Sequence, residues 1–190
     1  MKDKKLILVA FIIMAMLQIG ASASIIYKYE NTLITGTPYK FKTAPVDPYD
    51  AFRGRYVSLN LVTQKVILEK GYKELTGNKV YAILKLDKDG FASADKLSIE
   101  RPDNDNYIIA SIQSIITEND KTIATLSLPI DRYYMQEDIA PKAEEAYRQT
   151  VPNAKPGKNS YIAVRIKAGF PVIEELYIDN MPVRDFINKK

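Results

Sequence analysis

The chain has 190 residues, with 27 Lys and Arg against 23 Asp and Glu, and it holds no Cys, His or Trp. Without Cys there is no disulfide, thiolate nucleophile, Cys-ligated zinc or iron–sulfur cluster. Without His there is no Ser-His-Asp triad, imidazole proton shuttle or His-ligated metal.

The net charge of +4 begins at the N-terminus, where Lys2, Lys4 and Lys5 against Asp3 contribute +2. The 24 bases and 22 acids that follow are interspersed, so no basic stripe tracks a phosphate backbone and nucleic acid is not an expected partner.

Leu6–Tyr27 runs 22 residues without a charge. As a helix it reaches about 33 Å, enough to cross a hydrocarbon core of roughly 30 Å. The lysines before it favour a cytoplasmic N-terminus and export the remainder, and Tyr27 and Tyr29 suit the headgroup region with Lys28 snorkelling between them. Residues 1–5 then form a basic cytoplasmic flank, 6–27 the anchor and 28–190 the exported domain. Two other readings stay open. The dense apolar part, Leu6–Leu17, suits a signal-peptide h-region, and Ala21-Ser22-Ala23 resembles a cleavage site after Ala23. A buried core helix would instead present one apolar stripe, whereas here apolar residues surround the helix.

The exported part predicts a β-rich α+β domain, a compact antiparallel barrel or sandwich of about seven strands with one helix. Tyr56–Val62 points Val57, Leu59 and Leu61 one way. Val80–Leu86 turns through Asp87-Lys88-Asp89-Gly90 into Phe91–Ile99. Tyr107–Ile116 and Thr122–Leu128 flank a polar turn, and Tyr161–Lys167 turns at Ala168-Gly169 into Phe170–Ile178. Between Asp138 and Thr150, Ile139, Ala143, Ala146 and Tyr147 recur at helical spacing, and Val151–Asn159 is a Pro/Gly-punctuated linker.

The densest cluster of special residues is Pro45–Asn60. Asp47 and Asp50 with Arg53 and Arg55 are candidates for a polar pocket, because an Arg fork binds carboxylate or phosphate bidentately. The alternative is structural: Asp caps the turn, Pro48 fixes φ, and the arginines pair with the aspartates. Asp87-x-Asp89-Gly90 has a fragment of a calcium loop but carries Ser98 at the twelfth position, so a hairpin turn is expected. Asp103-Asn104-Asp105-Asn106 reads as a solvated loop. Glu144-Glu145 and Glu174-Glu175 read as solvated faces, since sequence neighbours point in different directions. The many tyrosines suit sheet packing and, secondarily, a binding surface. No pattern calls for a catalytic residue, cofactor or metal.

Gly54-Arg55-Tyr56-Val57-Ser58-Leu59-Asn60-Leu61 resembles the signature of the GDYXXLXY protein family. Gly54, Tyr56 and Leu59 match, while Arg55 stands for the Asp and Leu61 for the final Tyr. Upstream, Thr35-Gly36 and Pro45-Val46-Asp47-Pro48 through Asp50 and Arg53-Gly54 are similar to that family's approach, with Tyr49 in place of its Arg. Downstream, Asp131–Arg148, with Arg132, Tyr133, Tyr134 and Glu137, is similar to its E-R-Y-[FY]-x-x-E segment and following helix. The resemblance implies a bacterial, membrane-anchored protein with an extracytoplasmic domain, often encoded beside multi-pass membrane proteins, and it implies no reaction.

The expectation is an extracytoplasmic binding or accessory domain, single-pass in the cytoplasmic membrane (periplasmic where there are two membranes). It would touch lipid through 6–27 and dock on a membrane protein or envelope component, with Asp47–Leu61 shaping a membrane-proximal entrance. The alternatives are an envelope hydrolase using carboxylate or Lys chemistry, and a binder of a small polar ligand.

Overall fold

The computed structural model describes residues 2–44, 56–61, 64–68, 79–118, 121–135, 139, 141–143, 145 and 160–189. It opens with one uninterrupted helix, α1, Lys2–Thr35. The apolar run sets its first part, where the side chains from Lys4 to Glu30 are exposed except for half-buried Ala15. It continues past Tyr27 because nothing there breaks it. The Thr32 hydroxyl donates to the Lys28 carbonyl (2.9 Å) and that of Thr35 to the Asn31 carbonyl (2.7 Å). It ends at Gly36, whose N–H donates to the Thr32 carbonyl (2.8 Å) and where a Cβ would collide with that same oxygen. Pro38 then excludes further helix.

Twelve strands follow among the described residues: β1 Thr37–Ala44, β2 Tyr56–Ser58, β3 Asn60–Leu61, β4 Lys65–Leu68, β5 Lys79–Leu86, β6 Ala92–Ser98, β7 Tyr107–Glu118, β8 Lys121–Ser127, β9 Arg132–Tyr134, β10 Ser160–Lys167, β11 Phe170–Ile178 and β12 Met181–Pro182. A short helix, α2, Val183–Asn188, closes the chain. One sheet has the order β12-β11-β10-β1-β3, the other β4-β8-β7-β5-β6, and β2 pairs with β9. Every described pairing of named strands is antiparallel. The edge strands β4 and β6 approach each other, so the second sheet curls into a nearly closed barrel. Register shifts at Ile83/Leu84, Ala163/Val164 and Ile112/Ser114 supply bulges, which bend and twist a strand.

Alternation sets which face is inside. Val80, Ala82 and Leu84 of β5, Ile108, Ala110 and Ile112 of β7, and Ile162, Val164 and Ile166 of β10 are buried. With Phe41, Leu126, Leu176 and Val183 they form one core fed by both sheets. Each fully buried large side chain adds about 1.5–3 kcal/mol relative to exposure. A buried polar pair, Thr43 and Ser160, joins hydroxyls across β1 and β10 at 2.5 Å.

The seven predicted strands are all present in whole or part. The Tyr56–Val62 expectation is corrected in one respect: the segment is not a single strand. Tyr56–Ser58 pairs with β9, Asn60–Leu61 pairs with β1, and Leu59 between them donates its N–H to the Asp131 carbonyl at 2.8 Å. Of the predicted helix, Pro141–Ala143 and Glu145 are helical, and the Ala143 N–H donates to the Ile139 carbonyl at 3.0 Å. The predicted linker 151–159 lies outside the described residues.

Candidate functional site

The two motif segments, far apart in sequence, are neighbours in space. Tyr56 lies opposite Tyr134, Val57 opposite Tyr133 and Ser58 opposite Arg132. The Leu59-to-Asp131 bond extends this contact by one residue. Leu59 and Leu61 are 4% and 3% exposed and belong to the core, so the motif's leucine is a packing residue.

The Tyr133 side chain is buried, and its hydroxyl donates to Glu175 Oε1 at 2.6 Å. The same carboxylate oxygen accepts the Leu176 N–H at 3.0 Å. Burial, then the hydrogen bond to Glu175 and its charge, hold the Tyr133 phenol well above the usual tyrosine range, with Arg184 opposing weakly. The ladder β2–β9 is thereby tied to β11 through a charge-assisted bond. Tyr134 is exposed, and exposed Arg132 lies 3.7 Å from the Asp131 carboxylate.

Glu175 differs from the solvated-face expectation, for it is half-buried under Tyr133. Its neighbour Glu174 is exposed and pairs with Arg165 at 2.9 Å. No local signal in the sequence could have marked Glu175, because its partner arrives from β9 only through tertiary packing. The expected sites at Asp47, Pro48, Asp50, Arg53, Gly54, Arg55 and Glu137 lie outside the described residues, and Tyr56 is described by its backbone alone.

The described end of the motif sits where β1 finishes: Ala44 faces Asn60 and Thr43 faces Leu61. α1 docks at the other end of β1, because Gly36 immediately precedes Thr37. The eight residues of β1 span about 24 Å. Leu59–Leu61 therefore lie at the end of β1 far from Gly36, and residues 47–55 of the segment expected to shape a membrane-proximal entrance lie outside the described residues.

The other candidates resolve as structure. Asp87 Oδ1 accepts the N–H groups of Asp89 and Phe91, both at 2.9 Å, and Oδ2 pairs with Lys42 at 2.7 Å. That is an Asx-type turn closing a hairpin, with Gly90 at φ +80°. Those contacts, the Lys42 bond foremost, hold the Asp87 carboxyl below the ordinary carboxylate range. In the 103–106 loop the acids are exposed, and the Asn106 carbonyl accepts the Leu84 N–H at 2.8 Å. Among the described residues, no group of three or more carboxylates is placed to hold a metal. Tyr161 and Tyr177 stack at 4.7 Å, with Phe91 edge-on to Tyr161 at 5.5 Å and Lys42 4.7 Å above the Phe91 ring. These rings pack one another across β10, β11 and the start of β6, the sheet-packing role expected of them.

The model of the family described as GDYXXLXY protein matches residues 18–176, which is most of the chain, and the chain belongs to that family. No curated protein and no solved structure matches it.

Proposed function

We propose that this member of the GDYXXLXY family is a membrane-tethered accessory domain. It is exported from the cytoplasm and docks, through the end carrying the β2–β9 ladder, on a membrane protein or envelope component. Residues 1–5 would lie inside, 6–27 would span the bilayer, and 28–190 would stand outside. The observation that carries this reading is α1. Its most apolar stretch, within Lys4–Thr35, is wholly unburied by the domain, and the uncharged run follows three lysines. An apolar surface of that length without a protein cover needs lipid. Membership of the family, matched over residues 18–176, is consistent with this reading.

The test is a quantitative crosslinking pull-down of tagged full-length protein from detergent-solubilised native membranes. An anchorless secreted form serves as control. One membrane or envelope protein recovered in stoichiometric amount, lost with the control and weakened by Asp47→Asn or Arg53→Ala while membrane anchoring persists, is the expected result. Recovery of the tagged protein alone at good yield overturns the docking proposal. Loss of folding in both variants assigns the Asp/Arg segment to structure instead.

A further inference from the structure

The domain is not hung from its anchor on a linker. α1 runs through the apolar stretch and about two further turns before Gly36, and those turns are packed against the β10–β11 hairpin. Tyr29 meets Phe170 edge-to-face at 5.1 Å, and Lys28 Nζ lies 3.9 Å over the Phe170 ring. Lys167 Nζ donates to Thr35 Oγ1 (2.6 Å) and Asn31 Oδ1 (3.2 Å). Thr32 is buried, and an Arg165 guanidinium N–H reaches the Gly36 carbonyl at 3.4 Å.

These contacts set a height. Phe170 touches Lys28 and Tyr29, directly after Tyr27 ends the uncharged run, whereas Lys167 touches Asn31 and Thr35 further up the helix. The polar layer of a bilayer adds about 5–7 Å beyond the hydrocarbon on each side, or roughly four helical residues. Lys28–Asn31 therefore occupy that layer, and Phe170 sits in it beside them. The turn residue Ala168 is exposed, and Tyr27 and Tyr29 are exposed on the helix. An aromatic and lysine collar of this kind is what the headgroup zone favours. The hairpin tip is also fastened to the other sheet, since the Gly169 carbonyl accepts the Ile109 N–H at 3.0 Å. The tip therefore cannot swing independently of the barrel.

We propose that the β10–β11 hairpin end, with Lys28, Tyr29, Phe170 and Ala168 at its centre, is a lipid-facing surface resting in the headgroup layer. α1 acts as a stiff strut that holds the motif end at a fixed height above the membrane. The occupant is the lipid headgroup zone, by continuity with the span that enters it. The proposal rests on the anchored reading above.

The chain has no cysteine, so a single introduced one labels uniquely. Three full-length variants, Ile12→Cys, Ala168→Cys and Asp179→Cys, carry an environment-sensitive fluorophore and are reconstituted in phosphatidylcholine vesicles. Nitroxide lipids quench either at the headgroup or within the acyl chain. Ala168 and Asp179 are matched turn positions, at φ +49° and +50°, on opposite ends of β11. Expected are strong acyl-chain quenching at position 12 and severalfold stronger headgroup quenching at 168 than at 179. Adding Phe170→Ala to the Ala168→Cys variant should reduce that headgroup quenching by loosening the strut. Quenching at 12 with equal, weak signals at 168 and 179 overturns the surface proposal and leaves anchoring intact. No quenching at 12 overturns anchoring, and this proposal with it.

Discussion

Tyr133 and Glu175 meet at 2.6 Å, phenol to carboxylate, and join the strand carrying one family motif to the sheet on which α1 docks. The bond is buried on the tyrosine side and shares its acceptor oxygen with the Leu176 N–H. Hydrogen bonds to a charged group are worth about 1.5–3 kcal/mol. Tyr133→Phe keeps the ring in place and removes only the hydroxyl, and the remaining N–H still serves Glu175. The expected cost is about 1–2 kcal/mol, near the low end of that range. Thermal unfolding of the full-length protein in detergent, followed by circular dichroism, should show a midpoint several degrees lower.

The same residue gives an alkaline signature. Its folded pKa is raised above the ordinary value of 10.0. Its stabilising contribution is therefore fully present below the unfolded value and is lost as pH rises beyond it toward the folded value. The wild-type midpoint should fall as pH rises above about 10, and Tyr133→Phe should flatten that fall. An unchanged alkaline slope would show that Tyr133 does not titrate differently on folding.

On the acid side the corresponding group is Asp87, whose folded carboxyl lies below its ordinary value of 3.8, chiefly through the Lys42 bond. A depressed carboxylate stabilises above its unfolded pKa, and that contribution disappears as pH falls through the folded value. Asp87→Asn retains an oxygen for the turn but loses the charge. Wild type and variant should differ in midpoint at neutral pH and converge as pH drops below about 4. A difference independent of pH would assign the effect to turn geometry alone.

Much of this architecture is legible in the residues, and the remainder fails for identifiable reasons. A helix long and apolar enough to cross a membrane is legible from composition alone, in 22 consecutive uncharged residues. Val80–Leu86 and Tyr161–Lys167 announce themselves by strict alternation. β1 escapes, although Tyr39, Phe41 and Thr43 are buried, because Pro38, Lys40 and Lys42 between them read as a polar connection. β9 is three residues long, too short for any periodicity to register. The change of partner within Tyr56–Leu61 and the Tyr133–Glu175 bond are decided by which strands meet, a non-local property that spacing along the chain does not encode. The docking of Lys28–Thr35 on β10 and β11 escapes for the same reason.

Two glycines separate backbone strain from steric exclusion. Gly90 and Gly169 both have positive φ, +80° and +76°, but nothing lies within 4 Å of a Cβ at Gly90, whereas one at Gly169 would run into the Tyr107 ring and the Cγ1 methylene of Ile109. Gly90→Ala should cost about 1–2 kcal/mol from the left-handed backbone alone. Gly169→Ala adds an overpacking penalty of about 1–3 kcal/mol and should be the more destabilising of the two. Equal midpoints for the two variants would mean that Tyr107 and Ile109 yield freely, and that the hairpin tip is not seated on β7.

The buried hydroxyl pair Thr43 and Ser160 makes the most selective prediction, since the two groups depend on each other. Their oxygens lie 2.5 Å apart at 0% and 2% residue exposure. Thr43→Val keeps the shape and strands the Ser160 hydroxyl in an apolar core, at a cost of about 1–3 kcal/mol. Ser160→Ala does the same to Thr43. The double variant leaves no stranded group, and replacing both partners with apolar atoms of similar shape is close to neutral. The two single changes should therefore sum to more than the double, with a coupling of about 1–2 kcal/mol in a thermal or urea double-mutant cycle. Strict additivity would mean that each hydroxyl finds another partner. The site would then be polar and accessible rather than sealed.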